Sequence, residues 1–433
     1  MASTTDHAEG ARNDDERRVL DAIDDAQIVR DLRDLVAIAS VDGTPGEADA
    51  QRWCADRLAG IGLRVDTWDV DLEELQRQRG YPGMEVERSE LSGCVARLGP
   101  EDEPALALCG HTDVVPPGDL SAWSGRDPFA LEVDDAGRAW GRGACDMKAG
   151  LVAVIAATAA VMAAGPTLSR SLAVHCVSAE EDGGAGAFAT LLRGHRADAC
   201  VIAEPTAGDL IPANAGSLTF RLEVEGLATH GSTRTRGVSA IEKFEVVHAA
   251  LRALEAQRNV DAPAPFDHLD LAWPLSVGIV SAGDWASTVP DRLVAAGRYG
   301  VRVDESVDAA RAAFEASVAD ACATDPWLRD HPVGVSWPGG VFAPGSLPPG
   351  HRLLDEVRDA VRDVRDETPR VYGGPYGSDL RHYASAGVPT LQYGPGDVRH
   401  AHAVDEHVLL DDVFACARVY ALLAVRACST SRS

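Results

Sequence analysis

The chain has 433 residues, too many for one hydrophobic core, and this length points to two or three domains. Apolar residues make up 45% and charged residues 25%, which excludes a disordered or fibrous chain. Forty basic against 67 acidic side chains leave a net charge of -27, which argues against a binder of nucleic acid and equally of anionic membranes.

The first sixteen residues are polar and acidic and read as a solvated tail, without the basic start and apolar stretch of a signal peptide. From Glu16 to about Ser40 the apolar spacing (Leu20, Ile23, Ile28, Leu32, Leu35) predicts one amphipathic helix, and a second follows Pro45-Gly46. Three continuous apolar runs come next, 105–109, 172–177 and 199–203. Separated by helical patterns, they read as buried strands of a parallel or mixed sheet. Between the first two lies Ala149 to Ser169, uncharged but mostly alanine. Its apolar part of about fourteen residues is short of the roughly twenty that a bilayer needs, so a buried helix is expected.

After Asn214 the rhythm changes to strand, helix, two strands, helix and strand, the order of a split-βαβ, ferredoxin-like unit. The Pro/Gly-rich stretch 338–350 then returns the chain to helix and strand patterns like the first. The expected fold is α/β: a mixed-sheet catalytic domain (1–213 and 343–433) interrupted by an inserted α+β lid and dimerisation domain (214–342). Nine cysteines occur singly, with no C-x-x-C pair, so reduced thiols and a cytoplasmic setting are expected. Lys148 and Lys243 are the only lysines, and Lys148 is expected either to orient carboxylates near the helix start or to be solvated.

In open α/β sheets, ligands gather at the carboxyl ends of strands. The three apolar runs lead into Gly110-His111-Thr112-Asp113, Glu180-Glu181-Asp182 and Glu204-Pro205-Thr206. A Gly-rich turn carries Asp146, and His400-Ala401-His402 precedes Asp405-Glu406. Several ionised carboxylates in one cleft repel one another, and divalent cations remove that cost. Imidazole and carboxylate without thiolate suit Zn²⁺, with Co²⁺ or Mn²⁺ as alternatives.

These segments, together with Thr229-His230-Gly231-Ser232, are in the order of the M20 family of dinuclear metallohydrolases, which the chain resembles from about residue 40 to 410. That family includes acetylornithine deacetylase, succinyl-diaminopimelate desuccinylase, aminoacylase-1 and glutamate carboxypeptidase. The resemblance implies two divalent ions per chain, with Asp146 bridging, His111 and Glu204 on one ion, and Glu181 and His402 on the other. It implies that Asp113 orients His111, that Glu180 is the general base, and that His230 reaches across a homodimer to stabilise the oxyanion. Gly374 and Ser378 lie in the place of the family's Gly-rich substrate loop, and Arg292 ends a Ser287-x-x-Pro-Asp-Arg segment that also belongs to substrate binding. Relatives commonly have Asn where Ser287 stands and Arg where Gly300 stands, so α-carboxylate recognition is the open part of the resemblance.

The expected activity is therefore metal-dependent hydrolysis of the amide bond of a small N-acyl amino acid or N-acylated amine. A dipeptidase, carboxypeptidase or N-carbamoyl amino acid hydrolase is the alternative within the family. A metal-containing protein that only binds ligands is the alternative from another class. No G-x-S-x-G elbow, Walker A loop or H-E-x-x-H helix is present.

Overall fold

A computed structural model describes residues 13–101 and 103–429. Two large sheets carry the fold, beside a small three-stranded one formed by Glu132–Val133, Arg138–Trp140 and His407–Leu409. The larger is mixed and nine-stranded, in the order Arg64–Asp69, Ser92–Leu98, Leu172–Val177, Leu106–His111, Cys200–Ile202, Thr390–Gln392, Leu210–Asn214 and Gly345–Ser346, with Val371–Gly374 also on Leu210–Asn214. Leu172–Val177, Leu106–His111, Cys200–Ile202 and Thr390–Gln392 run parallel. All four are fully buried, as continuous apolar runs require when both faces of a sheet are covered.

The Lys148–Ala164 helix is buried along nearly its whole length and packs beside the Leu410–Ser429 helix. Lys148 itself is fully buried, its Nζ donating to the carbonyls of Leu35 (3.0 Å) and Ile38 (2.8 Å). It is thus neither solvated nor bonded to a carboxylate. It ties this helix to the end of the preceding helical layer.

The single helix expected from Glu16 is two, Asp14–Asp21 and Asp25–Val36. The break is local chemistry: Asp24 is extended and its side chain accepts from the Gln27 N–H at 2.9 Å, a cap that outweighs the continuing apolar period. Residues 1–12 of the expected tail lie outside the described residues. Residues 13–16 depart from it, because Asn13 caps the first helix and buried Glu16 pairs with Arg426 at 2.7 Å. Among the described residues no helix is long and apolar enough to cross a membrane.

The chain leaves the large sheet at Asn214 and enters the second at Gly216. That sheet has the order Leu275–Ala282, Arg292–Val301, Gly216–Glu225, Gly334–Ser336, all antiparallel, with Val341–Phe342 also on Gly216–Glu225. Helices Ala240–Arg258 and Val307–Thr324 bury Phe244, Val247, Leu251, Phe314 and Val318 in its own core. A short helix, Pro326–Asp330, was not expected from the sequence. Three residues after Phe342 the chain is back in the large sheet at Gly345–Ser346.

Candidate active site

Three parallel neighbours deliver the charged residues to one edge. His111 is the last residue of its strand, Glu180 and Glu181 follow Leu172–Val177, and Glu204 follows Cys200–Ile202. Asp146 precedes the buried helix, and His402 follows the short Val398–His400 turn. His111 Nε2 lies 3.2 Å from Asp146 Oδ1, while His402 Nε2 lies 3.0 Å from Glu181 Oε1 and 3.6 Å from Asp146 Oδ2. One donor atom each from His111, Asp146 and Glu204 falls within 4.8 Å of the others, and so does one each from Asp146, Glu181 and His402. Asp146 belongs to both triads, turning one oxygen to each histidine.

Two non-glycine residues here hold left-handed backbone: Ala179 at φ 60°, just before Glu180, and His402 at φ 61°. Such conformations are disfavoured outside glycine and persist where the surroundings enforce them, which is characteristic of functional sites. His400, the neighbour that could compete with His402, instead packs its ring on His407 at 4.2 Å.

The electrostatics identify what the cluster lacks. Burial, then neighbouring Asp146, pushes Glu204 well above the usual carboxylate range, and burial with Asp146 raises Glu181. Burial, then Glu204 and Asp379, pushes Glu180 well up. Burial would also raise Asp146, but the hydrogen bond and charge of His111, with the charge of His402, hold it below its ordinary value. The hydrogen bond to Glu181 lifts His402 to about 9. Buried carboxylates that raise one another mark a cluster short of positive charge. Divalent cations supply that charge with the oxygen and nitrogen donors present, so the residues fit a metal centre.

The sequence model of peptidase family M20/M25/M40 matches residues 107–426. The chain belongs to this family. It is 32% identical to a succinyl-diaminopimelate desuccinylase of Xanthomonas euvesicatoria over 406 residues, covering 91% of this chain and 96% of that one. It is 27% identical to the N-formyl-4-amino-5-aminomethyl-2-methylpyrimidine deformylase of Bacillus subtilis, covering 88% and 90%. The solved di-peptidase Dug1p of Saccharomyces cerevisiae has the same fold, with a TM-score of 0.75 at 15% identity over 96% of this chain and 99% of that one. The chain is accordingly a metal-dependent hydrolase acting on amide bonds.

In this M20 chain the residues around the cluster are themselves tightly held. His111 Nδ1 is 3.0 Å from the backbone carbonyl oxygen of Asp113, whereas the Asp113 carboxylate stands at 3.6 Å and accepts from the Glu181 N–H at 3.1 Å. With the ring N–H at Nδ1 donated to that carbonyl, Nε2 is the nitrogen that would offer its lone pair to a cation shared with Asp146. Glu406 has a role not visible in the sequence. Its Oε1 accepts from the N–H groups of Cys145 (2.9 Å) and Asp146 (3.0 Å), while Oε2 pairs with buried Arg142. Glu180 is buried, and its Oε1 has no hydrogen-bond partner among the described residues.

The remaining sequence candidates fall in two places. Gly374 ends a strand of the large sheet. A Cβ there would stand 2.6 Å from Asn214 Nδ2 and 3.1 Å from Tyr376 Cζ, so only glycine admits this approach. The Ser378 hydroxyl is buried and donates to Asn214 Oδ1 at 2.9 Å. His230 and Arg292 lie on the second sheet, outside both triads. His230 is exposed, 2.8 Å from the Ser232 hydroxyl, and bridged to Thr288; Arg292 is exposed and pairs with Glu223 at 3.1 Å.

Gly300 cannot be replaced by a long side chain in this fold, since a Cβ would lie 2.8 Å from the Trp273 carbonyl carbon. Arg298 pairs with Glu85 at 2.9 Å and Arg302 with Asp304 at 2.9 Å. Trp273 is itself fixed there, its ring on Phe266 at 4.6 Å and its backbone N–H donating to Asn259 Oδ1 at 2.8 Å.

Proposed function

We propose that this enzyme removes the acyl group from a small N-acylated amino acid or amine, using two divalent ions held by His111, Asp146, Glu181, Glu204 and His402. The observation that carries this is the Asp146 carboxylate shared between two donor triads. Zinc suits the donor set, with cobalt or manganese as alternatives. Bound there, the cations supply Lewis acidity and bring the pKa of an attacking water from 15.7 towards about 7.

The chain's own groups do the rest. Glu180, buried beside the cluster with one oxygen unpartnered, takes the proton from the attacking water and passes it to the leaving nitrogen. Asp113 orients His111 and the Glu181 backbone, and Glu406 fixes the backbone that presents Asp146. Gly374 lets Asn214 and the Tyr376 ring close against the substrate loop, and Ser378 braces it through Asn214. The second sheet, with its split-βαβ element order, is an inserted lid and dimerisation domain spanning 214–342. Its exposed His230 and Arg292 complete the site from the partner protomer, closing over hinges near 213–216 and 338–346. We read the enzyme as a cytoplasmic homodimer, and its net charge of -27 disfavours nucleic-acid and anionic-membrane partners.

The filled space at Gly300 and the ion pairs of Arg298 and Arg302 favour an N-acylated amine over a dipeptide whose α-carboxylate needs an Arg fork. Purified, metal-assayed protein should hydrolyse members of a panel of N-formyl, N-acetyl, N-succinyl and N-carbamoyl amines and amino acids, and lose activity in EDTA. Asp146→Asn should reduce bound metal from two ions per chain to fewer than one. Turnover confined to dipeptides, or full metal content in the variant, would overturn the reading.

A further inference from the structure

The Tyr372–Arg381 segment is tied at both ends to the stretches that carry Glu204 and Glu180. At its start Tyr372 Oη stands 3.4 Å from the carbonyl oxygen of Thr206, two residues after Glu204. At its end Arg381 Nη2 donates to the carbonyl of Gly183 at 2.6 Å, three residues after Glu180. Between these anchors the Tyr376 ring lies over Gly374, and its hydroxyl is buried with no hydrogen-bond partner among the described residues. Tyr376 thus sits in a segment whose two ends are tied to the chain just after Glu204 and just after Glu180. A buried hydroxyl left unbonded is costly, and where one persists beside reactive groups it calls for a reason.

We propose that Tyr376 is a catalytic residue whose Oη–H donates a hydrogen bond to the acyl oxygen as that oxygen becomes negatively charged. This rests on the amide-hydrolase reading above. When the water oxygen bonds to the carbonyl carbon, the C=O π pair moves onto the acyl oxygen, and the phenol stabilises it without giving up its proton. Collapse re-forms the C=O bond and breaks C–N, the nitrogen receiving its proton from Glu180. Burial, then the nearby carboxylates Glu204, Asp146 and Glu180, pushes the phenol well above its ordinary pKa, so it remains a donor at working pH. Donors of this kind act because they are fixed in place before charge develops.

The test is Tyr376→Phe in the metal-loaded protein, with Tyr372→Phe as control. Because Oη makes no bond within the fold, melting midpoint and metal content should stay at wild-type values. The expected loss is about 10²–10³-fold in kcat with KM within about twofold. Binding of methylphosphonate, a tetrahedral anion, should weaken by at least about tenfold, while acetate, a planar one, binds as before. Unchanged kcat, equal weakening of both anions, or a fall in metal content would overturn the proposal. If wild-type protein hydrolyses none of the N-acyl panel, the substrate reading fails, and the two anions still decide the role of the tyrosine.

Discussion

The two sheets solve opposite problems. In the larger, charged residues sit at the ends of buried strands, and each is held by several contacts: Asp146 by His111 and by Glu406 through its backbone, Glu181 by His402 and by Asp113. In the smaller, the edge strand Leu275–Ala282 leaves Ile279 66% and Val280 52% exposed, and nearby Trp285 is 73% exposed. His230 stands exposed on the same sheet's loops. The first holds its charged groups in place; the second presents an apolar edge and an exposed histidine outside both triads. The charged cluster is built on the large sheet, whereas the small one leaves apolar surface open, which we propose meets a second copy.

The sharpest way to break this division is at Glu180. Glu180→Gln should lower turnover by about 10²–10⁴-fold, the scale of acid–base catalysis, while two ions remain bound. Wild-type turnover in that variant would remove Glu180 from the chemistry and leave the large sheet with only a binding role. A smaller effect is expected at the apolar edge. Ile279→Asp should weaken the dimer by about tenfold or more, read by sedimentation, and lower activity in step with the dimer fraction. Metal content should not change. A variant equally active as a monomer would show that His230 serves no neighbouring protomer.

Most of the metal cluster was legible because its signal is local. An apolar run long enough for a buried strand, followed at once by His or Glu, fixes both the element and the edge at which the side chain emerges. The second sheet was legible for the same reason, since Leu218–Val224, Ser239–Gln257 and Val307–Thr324 each carry their own period. What escaped depends on contacts distant in sequence. Glu406 caps the Asp146 turn from 260 residues away, and the loop that carries Tyr376 is tied through Tyr372 to Thr206, 166 residues earlier. The break at Asp24 escaped for a different reason: there a side-chain cap competes with an apolar period that continues on both sides.

The least dramatic prediction probes the large sheet alone. His175 lies inside the central Leu172–Val177 strand, its Nδ1 2.8 Å from the Tyr383 hydroxyl and its Nε2 without a partner among the described residues. Burial, helped by nearby His195 and Arg97, lowers its pKa to about 3. The unfolded chain, with an ordinary histidine value near 6.5, takes up this proton first as pH falls. The stability contributed by the neutral ring is therefore fully present above about pH 6.5 and is lost progressively as pH drops towards 3. The slope approaches about 1.4 kcal/mol per pH unit. In urea unfolding at pH 7, 6 and 5, His175→Gln should be less pH-sensitive than the wild type by up to this slope. Parallel curves would mean that His175 is protonated in the folded strand, and that the core of the large sheet is wetter than its burial implies.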